Sequence, residues 1–204
     1  MDDMLVGILA LQGNYHSHAQ CLEKLAVKSI FISKPEEITK VDGLIIPGGE
    51  SGVILKHFEF DQRWIEAIRE FHQQQKPILG TCAGIILLAK EVIPEQFAFG
   101  FIDIKVIRNA FGRQLQSSNN LVSFSMAGLK TVEEEKIDAV VSFIRAPKIE
   151  RILSDDVKII AKRNEEVVGV RQANIFALTC HPEYTTTLVH QQFIEAITSF
   201  TRTA

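Results

Sequence analysis

Lys76-Pro77-Ile78-Leu79-Gly80-Thr81-Cys82-Ala83-Gly84-Ile85-Ile86-Leu87-Leu88 is the stretch that decides the fold. An apolar strand over 76–79 runs into a cysteine with a glycine two residues to either side, and an apolar helix over 85–92 follows. Strand, sharp turn and helix in that order form a nucleophile elbow, here with Cys in the place of Ser. The glycines let the chain turn tightly and let other backbone approach. A thiol at this point stands above a sheet at the start of a helix, whose macrodipole favours the nucleophilic thiolate. The N–H of Ala83 is placed to steady an oxyanion. A buried structural cysteine in a glycine turn would use the same letters.

Working outward, strands alternate with helices through the first half. Residues 4–11 are a continuous aliphatic run suited to a strand buried on both faces. Gln12-Gly13-Asn14 breaks it, and a helix is predicted over 17–26. Short strands are expected over 29–32 and 41–46, the second ending in Pro47-Gly48-Gly49-Glu50-Ser51-Gly52. A helix over 60–75 places Trp64, Ile65, Ile68 and Phe71 on one face. This alternation implies right-handed crossovers and a mostly parallel sheet covered on both sides. Beyond residue 97 the rhythm changes to β-like runs over 101–108, 121–124, 139–145, 157–162, 166–171 and 175–179, with Asn164-Glu165 as a hairpin turn. These predict an antiparallel extension of the same sheet before a last helix over 187–200. The expected fold is a three-layer α/β/α arrangement in a single domain spanning 1–204, because no linker-like stretch interrupts it.

Composition sets the outer limits. The chain has 204 residues, 46% of them hydrophobic and 23% charged, which excludes disorder and fibrous repeats. Lys and Arg number 22 against 25 Asp and Glu, a net charge of −3 that offers no footprint for nucleic acid or an anionic membrane. Three cysteines are the sparse usage of a reducing compartment. No basic leader and no membrane-length apolar run are visible, so a cytoplasmic protein is expected.

A cysteine nucleophile needs a base. His181 follows the apolar strand and opens His181-Pro182-Glu183. Pro182 biases His181 toward an extended conformation, which puts Glu183 on the same face as an orienting carboxylate. The glycines after 41–46 allow a backbone N–H of Gly48 or Gly49 to serve as a second oxyanion donor, although a plain turn would look the same. His16, His18 and Cys21 span a strand–helix join with mixed orientation and are read as a partly exposed helix face, not a metal site. Cys180 is read as packing and Glu133-Glu134-Glu135 as a solvated turn. His57, His72 and His190 show no partner pattern.

These residues belong to a recognisable set. Leu11-Gln12-Gly13, Pro47-Gly48-Gly49-Glu50-Ser51, Gly80-Thr81-Cys82-Ala83-Gly84, Arg108-Asn109-Ala110-Phe111-Gly112-Arg113-Gln114, Ile144-Arg145-Ala146-Pro147 and His181-Pro182-Glu183 together resemble the glutaminase-subunit family of two-subunit pyridoxal phosphate synthases. Those are class I (triad) glutamine amidotransferases, and the likeness runs over nearly the whole chain. The resemblance implies a flavodoxin-like fold. It implies that Cys82 attacks the side-chain amide of L-glutamine, giving a glutamyl thioester and ammonia, with His181 shuttling the proton and Glu183 orienting His181. By the same likeness Gly49, Glu50, Ser51, Arg108, Ile144 and Arg145 bind glutamine. Gln12-Gly13 lies near the oxyanion site and adjusts when the synthase subunit docks. Ammonia then passes to that partner, and no metal or organic cofactor is implied for this chain.

Some positions depart from the family pattern. Gln116-Ser117-Ser118-Asn119-Asn120 is neutral where the family is commonly acidic, Gly52 replaces a common Thr, and Tyr184 replaces a common Leu. None of these is expected to touch the chemistry. The branch motifs argue against an amidotransferase of histidine or purine synthesis. Intact Cys82, His181 and Glu183 argue against an idle adaptor of the synthase. A stand-alone hydrolase such as a peptidase is the weakest alternative.

Overall fold

The computed structural model describes residues 4–110, 118–125 and 136–203. The first half comprises β1 (Leu5–Leu9), α1 (Tyr15–Lys24), β2 (Lys28–Ile32), β3 (Gly43–Ile46), α2 (Ser51–Phe60), α3 (Arg63–Gln73), β4 (Ile78–Thr81) and α4 (Ala83–Leu88). Then follow β5 (Ala89–Ile93), β6 (Ile102–Ile107), β7 (Ser118–Ser125), β8 (Lys136–Phe143), β9 (Lys148–Ile152), β10 (Lys158–Arg163), β11 (Glu166–Gln172) and β12 (Ile175–Leu178). Helix α5 (Leu188–Thr203) comes last, and 3-10 turns occupy Pro35–Lys40 and Pro182–Tyr184.

Nine strands make one sheet in the order β2-β1-β3-β4-β12-β11-β10-β7-β8. Strands β2, β1, β3, β4 and β12 run parallel, and β11, β10, β7 and β8 continue the sheet antiparallel. This is the parallel centre with an antiparallel extension that the sequence pattern predicts. The Asn164-Glu165 turn joins β10 to β11, with Arg163 opposite Glu166 and Asn164 at φ 52°.

Period-2 side-chain alternation explains why the parallel strands are apolar throughout. Val6, Ile8, Ile45, Leu79, Phe176 and Leu178 point to the face covered by α1 and α5, where they meet Leu22, Val189, Phe193 and Ile197. Leu9, Leu44, Ile46, Ile78 and Ala177 point to the other face, toward Ile54 and Phe58 of α2 and Trp64, Ile68 and Phe71 of α3. In α3 those buried residues recur at the helical spacing read from the sequence, so one stripe packs and the rest meets water.

Three expectations need correction. The helix predicted over 85–92 stops at Leu88, because the chain then enters β5, which pairs with β6 and turns Ala89 and Val92 inward. The predicted helix over 60–75 starts only at Arg63, and residues 51–60, where no helix is predicted, form α2 with Ile54 and Phe58 buried. Residues 101–108 do not extend the main sheet. Strand β6 instead lies between β5 and β9 in a separate three-stranded sheet, sending Ile102, Ile104 and Val106 into the core with Ile149. Glu133-Glu134-Glu135 and Phe111-Gly112-Arg113-Gln114 lie outside the described residues. Among the described residues no helix is long and apolar enough to cross a membrane.

The contact of α5 with the sheet centre is tight: Phe193 is fully buried and meets Phe176 edge-on at 6.1 Å. Replacing Phe193 with Ala should destabilise the protein by about 3–5 kcal/mol through the cavity it leaves. Denaturant unfolding checks this, and a loss below about 1 kcal/mol would show that α5 contributes little to the core.

Candidate active site

Cys82 sits between β4 and α4 at φ 49° and ψ −100°, a backbone conformation that non-glycine residues rarely adopt. Its N–H donates to the Leu178 carbonyl at 2.9 Å, so the turn is tied to the end of β12. The close seat of α4 on the sheet explains the flanking glycines. A Cβ on Gly84 would overlap the Ile46 carbonyl oxygen, and one on Gly80 would lie 2.6 Å from Leu88 Cδ1. Ala83 is the first residue of α4, so its N–H belongs to the helix's first turn, which lacks intrahelical acceptors.

His181 lies just beyond β12, and its N–H donates to the Ser142 carbonyl at 2.8 Å. Pro182 begins a 3-10 turn that folds Glu183 back beneath the imidazole. The extended His181–Glu183 segment expected from sequence is thus a turn, and it brings His181 Nδ1 to 2.8 Å from Glu183 Oε1. Cys82 and the imidazole line the same cleft on either side of Gly48, and the sulfur lies 3.8 Å from the Ile144 carbonyl oxygen. Burial opposes a charged ring at His181, but the neighbouring Cys82 and Glu183 outweigh it and raise its pKa to about 10. Burial likewise opposes ionised Glu183. The His18 and His181 imidazoles beside it prevail and hold its pKa down to about 2. Asn14 Nδ2 donates to the same Glu183 oxygen at 3.1 Å.

The sulfur and imidazole open onto a cleft of about 380 Å³, at the small end of the range for small-molecule sites. Its wall brings together Gln12, Gly13, Gly48, Gly49, Glu50, Ser51, Arg108, Ile144 and Arg145. Ala83 and Glu183 are buried behind it. The Gln12 and Gly48 loops are clamped together: Asn14 N–H donates to Gly48 O at 3.0 Å, and Glu50 N–H donates to Gln12 Oε1 at 2.7 Å. Side chains at Gly48 and Gly49 would overlap His181 and Gln12, respectively. Arg145, at φ 45°, forms an ion pair with Glu50 across the cleft.

Several residues escaped the sequence reading. Asn14, Ile86 and Asn109 line the cleft, although the motifs they sit in or beside assign them no role there. Tyr184, expected to stand apart, also lines it and sets its ring 5.7 Å from the His181 ring. The expected exposed face on α1 is corrected too. His18 is fully buried and bonded to His190 and Thr81, whereas His16 packs on Tyr15 and Phe31. Cys21 Sγ reaches the carbonyls of Glu183 and Thr186, and burial pushes its pKa up to about 11. Cys180 is fully buried with its thiol pushed higher still by burial. No group of three or more potential metal ligands occurs among the described residues.

The profile of the SNO glutamine amidotransferase family matches residues 8–199. The chain belongs to this family. It is 41% identical over 196 residues to the pyridoxal 5'-phosphate synthase subunit PdxT of Koribacter versatilis, covering 95% of this chain and 96% of that one. It is equally 41% identical to the PdxT subunit of Carboxydothermus hydrogenoformans, over 95% of this chain and 98% of that protein. A crystal structure of a glutamine amidotransferase superposes with a TM-score of 0.81 at 35% identity, covering 95% of this chain and 98% of the other.

The buried rings beside the cleft give stability a pH dependence. Burial lowers the pKa of His18 and lowers that of His190 to about 3, so both take up protons on unfolding below about pH 6.5. The unfolded state then binds more protons, and stability falls as pH falls, by up to about 1.4 kcal/mol per pH unit for each ring. Between pH 6.5 and 5 the denaturation midpoint should drop in the unsubstituted chain and drop less steeply in His190→Gln. Parallel slopes would contradict the assignment of neutral buried rings.

Proposed function

We propose that this chain is the glutaminase subunit of a pyridoxal 5'-phosphate synthase, hydrolysing L-glutamine to L-glutamate and ammonia and delivering the ammonia to the synthase subunit. The observation that carries this reading is that Cys82 and His181 line one cleft, with His181 Nδ1 held 2.8 Å from the buried Glu183 Oε1. Membership of the amidotransferase family and the PdxT relatives support the same reaction and partner.

In the proposed reaction His181 takes the thiol proton and the sulfur attacks the side-chain amide carbon. The resulting oxyanion is received by the Ala83 N–H and by backbone of the Gly48-Gly49 loop, with Gln12-Gly13 packed behind that loop. His181 then returns its proton to the departing nitrogen, ammonia leaves, and a glutamyl thioester remains on Cys82. Water, losing a proton to His181, attacks the thioester and releases glutamate as the sulfur recovers the proton. Glu183 keeps the imidazole oriented and stabilises its charged form. These groups supply every proton transfer, so the hydrolysis requires no metal or organic cofactor.

Glutamine is a zwitterion at its α-carbon, and the cleft wall offers both complements. Arg108 and Arg145 suit its carboxylate, since a guanidinium can grip two oxygens at once. Glu50 suits its ammonium, and Gly49, Ser51 and Ile144 complete the binding wall. The Arg145–Glu50 pair would then exchange its partner charge for the substrate's charges. We assign residues 1–204 to one glutaminase unit acting in the cytoplasm within a heteromeric complex.

A glutamine-mimicking electrophile should label Cys82, as peptide mass mapping would show. Cys82→Ala should remain folded while losing ammonia release by at least about a thousandfold. Modification at Cys21 or Cys180 in its place would reject the nucleophile. Ammonia release should also rise when the synthase subunit is added, and equal rates with and without it would favour a stand-alone hydrolase.

A further inference from the structure

Behind the cleft lies a buried chain of histidines that the hydrolysis above does not use. His18 on α1 and His190 on α5 are both fully buried. His18 Nδ1 lies 2.9 Å from His190 Nε2. Its Nε2 lies 3.1 Å from Thr81 Oγ1 and 3.5 Å from Glu183 Oε1. Thr81 directly precedes Cys82, and Glu183 Oε1 is the oxygen that meets His181.

Hydrogen-bond accounting selects the tautomers. One hydrogen is shared between His18 Nδ1 and His190 Nε2. Were His18 its owner, neutral His190 would carry its own hydrogen on Nδ1, a buried atom with no partner among the described residues. An orphaned buried N–H is rarer and costlier than an under-used acceptor. His18 would also turn the Nε2 lone pair toward the Glu183 carboxylate. Both difficulties vanish with the hydrogen on Nε2 of each ring. His190 then donates to His18 Nδ1, and the His18 Nε2–H faces Thr81 Oγ1 and Glu183 Oε1.

We infer that His18, held in its tautomer by His190, is a positioning residue for the triad, its Nε2–H pinning the Glu183 oxygen on which His181 aligns. That oxygen is hydrogen-bonded by His181 and Asn14 and lies 3.5 Å from His18 Nε2, whereas Glu183 Oε2 is buried with no partner among the described residues. The asymmetry resists rotation of the carboxylate away from His181. Burial, which disfavours the charged form of both outer rings, keeps the relay neutral around a single carboxylate.

The inference rests on the glutaminase reading, so its test has one arm that does not depend on activity. Spectra of the full chain with 15N-labelled histidine at pH 7 should show His18 and His190 as neutral Nε2–H tautomers. An Nδ1–H tautomer at either would overturn it. The second arm measures ammonia release with the synthase subunit present. His18→Leu should lower kcat about tenfold or more while KM stays within about twofold. His18→Gln, whose amide can place a donor where Nε2 stood, should recover most of that loss. Equal losses in both variants, or a raised KM at unchanged kcat, would overturn the positioning role. If the leucine variant does not fold, His18→Asn replaces it, since its shorter amide does not reach the Nε2 position. Absence of ammonia release from the unsubstituted complex would refute the glutaminase reading, and the tautomers would still decide whether His18 donates.

Discussion

Parallel pairing of β12 with β4, with Leu178 opposite Thr81, is the contact on which the rest of the site depends. Parallel neighbours end at the same edge of a sheet, so the segments that leave them meet there. Cys82 follows β4, His181 follows β12, Gly48-Gly49 follows β3 and Gln12-Gly13 follows β1. Four segments far apart in sequence are thereby delivered to one edge. The hydrogen bond from Cys82 N–H to Leu178 O fixes the two most important of them to each other.

The electrostatics follow from where that edge is dry. Glu183 has lost its water, and an ionised buried carboxylate persists only with donors around it. His181 and Asn14 hydrogen-bond to one oxygen and His18 approaches it, which is why burial fails to neutralise the group. The Arg145–Glu50 pair is of a different kind. Both side chains are about half exposed, so water screens the pair and its contribution to stability is small. An ion pair of that sort can be opened without unfolding anything, as befits a site entrance.

Much of this was legible because it is local. The elbow needs only a strand, spaced glycines and a helix, all contiguous around Cys82, and His181-Pro182-Glu183 is contiguous as well. Apolar runs ending in glycine gave the parallel strands, and the stripe of Trp64, Ile68 and Phe71 gave α3. Residues 51–60 were harder, since Gly48, Gly49 and Gly52 read as a turn while Ile54 and Phe58 offered a short helical pattern. Strand β6 carries the alternation of a half-buried strand, which fits either sheet equally well. Only its packing against β5 and β9 decides between them.

Sequence alone singled out Cys82, His181 and Glu183 as candidate nucleophile, base and orienting carboxylate, and it determined the mostly parallel character of the first strands, because each rests on neighbours within a few residues. Tertiary structure decided that Tyr184 faces His181, that Arg145 meets Glu50, and that His18 reaches Glu183 through the interior. His18 and His190 look alike as letters on two amphipathic helices, 172 positions apart. What separates a solvated histidine from a buried donor is the removal of water around it, and that happens only when the two helices close on the same face of the sheet.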